Sequence, residues 1–282
     1  MISIIISSYQ PDYFTQLTKN IGQTIGSSIE YEIIQIWNPN LMSITKAYNS
    51  GAEKAKYDNL LFLHEDVIFH TSDWGEKLII HLNNINTGVI GVAGSDYVPS
   101  APCSWTVVSG INRNFYHILQ NNKDKTNKTL QSNIDKTYPV FGLDGVFLSI
   151  KKEKFNVLKF DENIPGFHGY DLDFTLRSAK KNQNYVIHDI LIEHFSTGNA
   201  NREWFFSNME IRKKNGCDYQ QKNIGRIERE AFVDFMKHFF KYHKANFKQI
   251  KKLFEFYPFF KMSIFDHYKV VKILSRYIFH KN

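Results

Sequence analysis

Asn59-Leu60-Leu61-Phe62-Leu63-His64-Glu65-Asp66-Val67-Ile68-Phe69 is the stretch on which the reading of the chain turns. It opens as an unbroken apolar run of the length that a fully buried strand requires. It then passes, without a turn residue, into His-Glu-Asp. A strand that stops on acids sets them at the carboxyl edge of a sheet, where open α/β sheets take their ligands. Carboxylates there attract hard cations such as Mg²⁺ or Mn²⁺, which bind through oxygen and bridge to a substrate's phosphates. A buried strand followed by a solvated acidic turn would read the same way, so the neighbouring segments decide.

Upstream, Ile2 to Ser8 reads as a short buried strand closed by Ser7-Ser8-Tyr9-Gln10-Pro11-Asp12, a strand-to-helix turn whose backbone can approach a ligand. Tyr31 to Trp37 alternates and stops at the breaker Asn38-Pro39-Asn40, a second strand. Ser43 suits the cap of a helix on which Ile44, Ala47, Tyr48, Gly51, Ala52 and Ala55 share one arc, so small residues let it lie close on a sheet. Asn49 falls on the flank of that arc. Downstream the pattern predicts a helix from about Asp73 to Asn84 and a strand at Gly88 to Ala93. Strands alternating with helices at such short intervals indicate βαβ units, hence an α/β fold with a mostly parallel, Rossmann-like sheet flanked by helices.

The stretch from Gly94 to Pro139 has little periodicity and a polar loop around Asn121 to Asn133; a connection so long in a compact domain is usually functional. Strand character returns over Val140 to Ile150, with Asp144-Gly145 at a bend or close approach. Pro165 to Arg177 reads as a loop feeding a helix that runs to about Lys181. Asp171 lies in its first turn, and Asp173 and Arg177 are spaced for an ion pair. Tyr185 to Ile192 is strand-like and ends in Glu193-His194-Phe195-Ser196-Thr197-Gly198.

Four separated segments in this order resemble a bacterial family-2-like glycosyltransferase of GT-A fold, over roughly residues 1–198. They are Asn49-Ser50-Gly51 with its helix, Leu60 to Asp66, Leu143-Asp144-Gly145-Val146-Phe147, and Phe167 to Phe174. The resemblance implies that Asp66 binds a divalent cation, Mn²⁺ or Mg²⁺, with His194 as a late imidazole ligand, and that Asp171 is the general base. It implies a donor site of Ser7, Tyr9, Trp37, Asn49, His64, Glu65, Asp144 and Gly145, and a sugar or acceptor side with Trp105, His168 and Tyr170. Two positions depart from the pattern. His64 stands where an Asp opens the metal motif, and Tyr170 stands where a Glu often precedes the catalytic Asp.

The chemistry asks for these residue types. Transfer from a nucleotide diphosphate sugar must stabilise the charge growing on the leaving diphosphate and remove a proton from the attacking hydroxyl. A carboxylate in the first turn of a helix is held as the anion by the helix dipole, which makes it a modest base. The activity implied is metal-dependent and inverting, from a UDP-sugar to a saccharide or lipid-linked saccharide in surface glycan synthesis. A sugar nucleotidyltransferase and a non-catalytic nucleotide-sugar or carbohydrate-binding module are the rival readings.

Composition narrows the setting. Hydrophobic residues make up 43% and charged residues 22% of the 282, as in ordinary globular proteins. Cys103 and Cys217 are far apart, so no disulfide framework or thiolate site is expected, and a reducing compartment is favoured. Met1 to Ile6 lacks the features of a signal peptide, and no apolar run approaches a membrane span, so a cytoplasmic protein is expected. The net charge of +7 is uneven: residues 235–282 hold eleven of the 35 Lys and Arg but two of the 28 acids. The body, with 24 basic and 26 acidic residues, is nearly neutral. A catalytic domain over 1–205 and a basic, aromatic helical extension over 206–282 are therefore expected. A helical stripe of Met236, Phe240, His243, Phe247, Ile250 and Phe254 over Glu228 to Phe254, with lysines on its other faces, and a further amphipathic helix beyond Pro258 carrying Val270, Val271, Leu274 and Tyr277, suit the inner face of an anionic membrane. They equally suit packing on the body; nucleic acid ranks last among the partners.

Overall fold

The chain's computed structural model describes residues 1–108, 112–121, 128–196, 198 and 200–279. Thr197, and 122–127 of the expected polar loop, lie outside the described residues. The chain divides into two compact units, Met1–Asp96 with Phe115–Asn199, and Tyr97–Asn114 with Ala200–Asn282.

The first unit opens with β1 (Ile2–Ser8), α1 (Pro11–Thr24), β2 (Tyr31–Trp37), α2 (Ile44–Lys54), β3 (Asn59–His64), β4 (Val67–Phe69), α3 (Trp74–Leu82), β5 (Thr87–Gly91) and β6 (Ala93–Ser95). After β7 (Asn114–Asn121) come β8 (Lys128–Ser132), β9 (Tyr138–Val140), β10 (Gly142–Leu143), β11 (Phe147–Lys151), α4 (Lys152–Leu158), α5 (Tyr170–Ala179), β12 (Gln183–Val186) and β13 (Ile192–His194).

The main sheet has the order β2-β1-β3-β11-β5-β12-β9. β1 runs parallel to β2 and β3, and β12 parallel to β5. β11 is antiparallel to both β3 and β5, and β9 to β12. The expectation of a mostly parallel sheet is thus corrected: its parallel character is partial. The chain leaves the sheet after β5 and re-enters as β11 at the same end, so no helical crossover imposes a parallel direction there. A second sheet, β10-β6-β7-β13-β4 with β8 beside β7, takes up much of the segment read as aperiodic. Its short strands were hidden because few of them are long enough to display alternation.

Alternate residues of the central strands feed two apolar layers. Ile4, Ile6, Leu61 and Leu63 pack with Leu17, Ile21, Trp74 and Leu78 from α1 and α3. Ile5, Leu60 and Phe62 pack with Tyr48, Ala52, Phe155 and Phe174 from α2, α4 and α5. Period-two burial on both faces is why β1 and β3 read as continuous apolar runs. Ser43 caps α2, its Oγ accepting from Lys46 N. Gly51 lets that helix settle on β1, since a Cβ there would overlap the Ile5 Cγ2 methyl.

The second unit holds α6 (Arg202–Asn215), α7 (Gly225–Tyr242), α8 (Phe247–Phe254) and α9 (Ile264–Phe279). The single helix expected over Glu228 to Phe254 is two, parted at 243–246, where Asn246 Oδ1 accepts from Gln249 N and caps α8. The expected stripe does not face solvent as a whole. Met236 and Phe240 are buried with Phe205, Met209, Leu253, Val270 and Leu274. Within the same unit the buried Glu228 accepts hydrogen bonds from Tyr97 Oη and Ser100 N, both at 2.9 Å. Among the described residues no helix is long and apolar enough to cross a membrane.

Candidate active site

The site is assembled where β3 ends. β4 pairs antiparallel with β13, His194 opposite Val67, and Phe195 N donates to Asp66 O at 3.0 Å. This pairing, over more than a hundred residues of sequence, carries His194 to Asp66: His194 Nε2 lies 3.6 Å from Asp66 Oδ1. His64 Nδ1 lies 3.9 Å from the same oxygen. One ligand atom from each of His64, Asp66 and His194 falls within 4.8 Å of the others.

The remaining imidazole nitrogens are held from behind. His64 Nε2 is 2.8 Å from Tyr170 Oη, and Tyr170 Oη in turn donates to Gly145 O at 3.2 Å. With the phenol proton on the carbonyl, Tyr170 accepts from Nε2–H, and the Nδ1 lone pair is left facing Asp66. Burial raises the Tyr170 phenol well above its ordinary range, so it stays neutral. On the other side, His194 Nδ1–H donates to Gln120 Oε1 at 3.4 Å, in register from the neighbouring β7. Ser196 Oγ stands 2.9 Å from His194 Nε2. Burial lowers the His194 pKa, with His64 adding to that effect and Asp66 opposing it; a neutral imidazole is the ligand form. Two imidazole nitrogens and a carboxylate oxygen, with outer nitrogens hydrogen-bonded, fit a divalent transition-metal ion such as Mn²⁺.

Asp171 lies in the first turn of α5, which starts behind a left-handed Gly169 (φ 77°). Its Oδ2 accepts from Gly145 N at 3.1 Å. A side chain at Gly145 is excluded, because a Cβ would stand 2.6 Å from Tyr170 Cζ. The Asp144–Gly145 turn is closed by Val146 N donating to Asp144 Oδ1 at 2.8 Å, and His64 N donates to Val146 O. A continuous path thus links Asp171, Gly145, Tyr170 and His64. Burial, then the nearby Asp144 carboxylate, push the Asp171 pKa up to about 7. Asp173 is engaged by Arg177 Nε at 2.8 Å, the pair its spacing implied.

The other expected residues separate by what they touch. Tyr9 and Trp37 project exposed rings beside the ends of β1 and β2, and Ser7 sits in register with His64. Glu65 points away from the cluster: its carboxylate accepts from Tyr9 N and Gln10 N at 3.0–3.2 Å. It thereby satisfies the backbone amide of Gln10, the residue that precedes the first turn of α1. Asn49 is buried, its amide donating to Phe160 O and Glu162 Oε1 and accepting from Phe160 N. It pins the 160–162 segment. His168 is half-buried in the loop before α5, and Trp105 is a half-buried residue of the second unit. Gln120 went unforeseen, since nothing in an aperiodic segment marks a residue that meets His194 only by strand pairing.

A model of a family described as "Glycosyltransferase like family" matches residues 3–227. No curated protein sequence matches significantly. The crystal structure of S. aureus TarS is similar in fold, with 12% identity and a TM-score of 0.57 over 98% of this chain and 54% of that one. GalNAc-T7 crystallised with UDP, GalNAc and Mn²⁺ has 12% identity and a TM-score of 0.53 over 98% and 58%. TarS 1–349 in complex with UDP has 11% identity and a TM-score of 0.52 over 98% and 80%. This chain therefore spans little more than half the length of the first two. The fold is GT-A.

Proposed function

The chain belongs to the glycosyltransferase-like family, and from that premise we propose that it transfers a sugar, with inversion, from a UDP-sugar to a saccharide or lipid-linked saccharide with the help of a divalent cation. The observation that carries this reading is the meeting of Asp66, His64 and His194 within 4.8 Å, joined to Asp171 through Tyr170 and Gly145. Support for UDP comes from the TarS and GalNAc-T7 crystals that hold it.

Asp66, His64 and His194 would hold the cation, Mn²⁺ before Mg²⁺ given two nitrogen donors. Bound there, it supplies Lewis-acid stabilisation of the leaving diphosphate. The exposed rings of Tyr9 and Trp37 offer faces on which a base can stack. Asp144 and Gly145 border the sugar, the glycine leaving its backbone open to close approach. Asp171 takes the proton from the acceptor hydroxyl as that oxygen bonds to the anomeric carbon and the nucleoside diphosphate departs. A base whose pKa is near 7 is better matched to that transfer than an ordinary Asp. His168 is assigned to the acceptor side. The catalytic domain is taken as residues 1–205, with 206–282 as a helical extension.

Nucleoside diphosphate release from a panel of UDP-sugars, with and without Mn²⁺, tests the reading for the native sequence, Asp171→Asn and Asp66→Ala. Release that requires Mn²⁺ and is lost in both variants, while UDP binding survives in Asp171→Asn, supports it. Release of inorganic diphosphate instead would indicate a nucleotidyltransferase. Binding without turnover would indicate a recognition module, and unchanged turnover in Asp171→Asn would remove the base assignment.

A further inference from the structure

The second unit presents a surface that the sugar chemistry does not use. The chain turns sharply after α8, Lys261 N donating to Pro258 O at 3.1 Å, and the turn lifts Phe259 and Phe260 into solvent. Phe260 is 101% exposed. The first residue of α9, Ile264, is 89% exposed, and Tyr268, Val271 and Ile278 follow it along one face at helical spacing. Val270 and Leu274, on the adjoining face, are buried in the unit's core. Helix α9 is therefore apolar on two sides: one is satisfied by α7, where Tyr277 stacks on Phe240 at 4.9 Å, and the other meets water. An outer apolar strip of this kind, broken only by Ser275 between Val271 and Ile278, is costly in water and marks an interaction surface.

Charge identifies the occupant. The outer strip is flanked by Lys269, Lys272 and Arg276, and Lys269 Nζ lies 4.1 Å from the centroid of the exposed Phe265 ring. The acids in 235–279 are Glu255 and Asp266. Asp266 is turned inward, paired with Arg229 and accepting from Ser263 Oγ at 2.7 Å. A helix lying flat with an apolar strip, an aromatic tip beside it and a cationic border matches the boundary of an anionic bilayer, the rings entering the acyl region and the lysines meeting headgroup phosphates. We propose that Phe259, Phe260 and the outer face of α9 form a docking surface for an anionic lipid bilayer. Of the stripe that the linear pattern singled out in the preceding helices, Met236 and Phe240 lie in the core and are not part of this surface. The proposal stands independently of the donor chemistry, since it is read without nucleotide sugar.

Sedimentation of the full chain with phosphatidylcholine vesicles, with and without phosphatidylglycerol, provides the test. Binding is expected only with phosphatidylglycerol and should weaken as salt rises. Phe260→Ser combined with Ile264→Ser should weaken partition by roughly two orders of magnitude, with circular dichroism and Tm unchanged because both side chains are exposed. Lys269→Glu with Lys272→Glu should cost at least roughly twentyfold, taking about a factor of five per basic residue. A Phe260→Trp probe should shift its fluorescence to the blue on adding the anionic vesicles. Equal partition of native and Phe260→Ser/Ile264→Ser proteins would overturn the proposal, as would equal binding to neutral vesicles. A dimer in sedimentation velocity that the same pair of substitutions dissociates would also overturn it, by making a second copy the occupant.

Discussion

Tyr170 Oη stands 2.8 Å from His64 Nε2, so the two positions that depart from the motifs carrying the resemblance are hydrogen-bond partners. A carboxylate at the start of the metal motif offers two equivalent oxygens and needs no help to present a lone pair. An imidazole has one lone pair, and which nitrogen carries it depends on what holds the other. Tyr170, its own proton committed to Gly145 O, directs the His64 lone pair towards Asp66.

Tyr170→Phe removes that direction while keeping the ring in its packing. Mn²⁺ affinity should fall by roughly ten- to a hundredfold, the usual consequence of losing an outer partner of a ligand. Titration calorimetry with Mn²⁺ alone reads this without any substrate. An affinity equal to that of the native chain would show that His64 is not oriented by Tyr170.

The Asp171 carboxyl, raised to about 7 by burial and by Asp144, must be ionised to act as a base. Turnover at saturating donor and Mn²⁺ should therefore climb as pH rises through about 7. Asp144→Asn removes the neighbouring negative charge, so the limb should move to lower pH. A limb that stays in place, or moves upward, contradicts the coupling between these two carboxylates.

The same shift bears on stability. In the unfolded chain an Asp titrates near roughly 3.9, below its folded value, so the fold holds a proton that the unfolded chain has released. The stability this contributes is present at low pH and is lost as pH rises towards about 7. Asp171→Asn, which cannot ionise, should raise Tm more at pH 8 than at pH 5. Equal shifts at the two pH values would argue against a buried, raised carboxyl.

Glu65 is the only acceptor drawn from a distant segment for the amides of Tyr9 and Gln10 among the hydrogen bonds described. Glu65→Ala strands both donors at the mouth of α1 and should cost about 1–3 kcal/mol in urea unfolding. Because the turn carries Tyr9, UDP affinity should fall alongside stability. Loss of affinity with stability intact would instead place Glu65 in contact with the donor.

Gly51→Val drives a branched side chain into the Ile5 methyl on the buried face of β1. Overpacking of this kind costs about 1–3 kcal/mol, measurable as a lower midpoint in urea. Retention of full stability would mean that α2 can lift from the sheet at little cost.

Much of the architecture was legible because its causes are local. The apolar runs of β1 and β3, the Ser43 cap, the small face of α2 and the Asp173–Arg177 spacing each act within a few residues, and each folds as its pattern implies. The direction of β11 was not legible, since an antiparallel strand and a parallel one carry the same alternation. The stripe at Met236 and Phe240 was seen, but not which side of it would be covered. Helical periodicity defines a face, and only the arrival of α9 and Leu253 decides that this face is core while Ile264 and Tyr268 are left outside.

For the site, the sequence by itself supplied the candidate groups: an acidic strand end at Asp66, an Asp at the head of a helix, and a histidine at the end of a late strand. Only the tertiary structure decided their company. Strand pairing between β4 and β13 brings His194 to Asp66, β7 brings Gln120 behind it, and α5 brings Tyr170 behind His64. Those approaches join residues 74 to 128 positions apart, and hydrogen-bond geometry at that separation is set by how the sheets close. No periodicity along the chain carries that information.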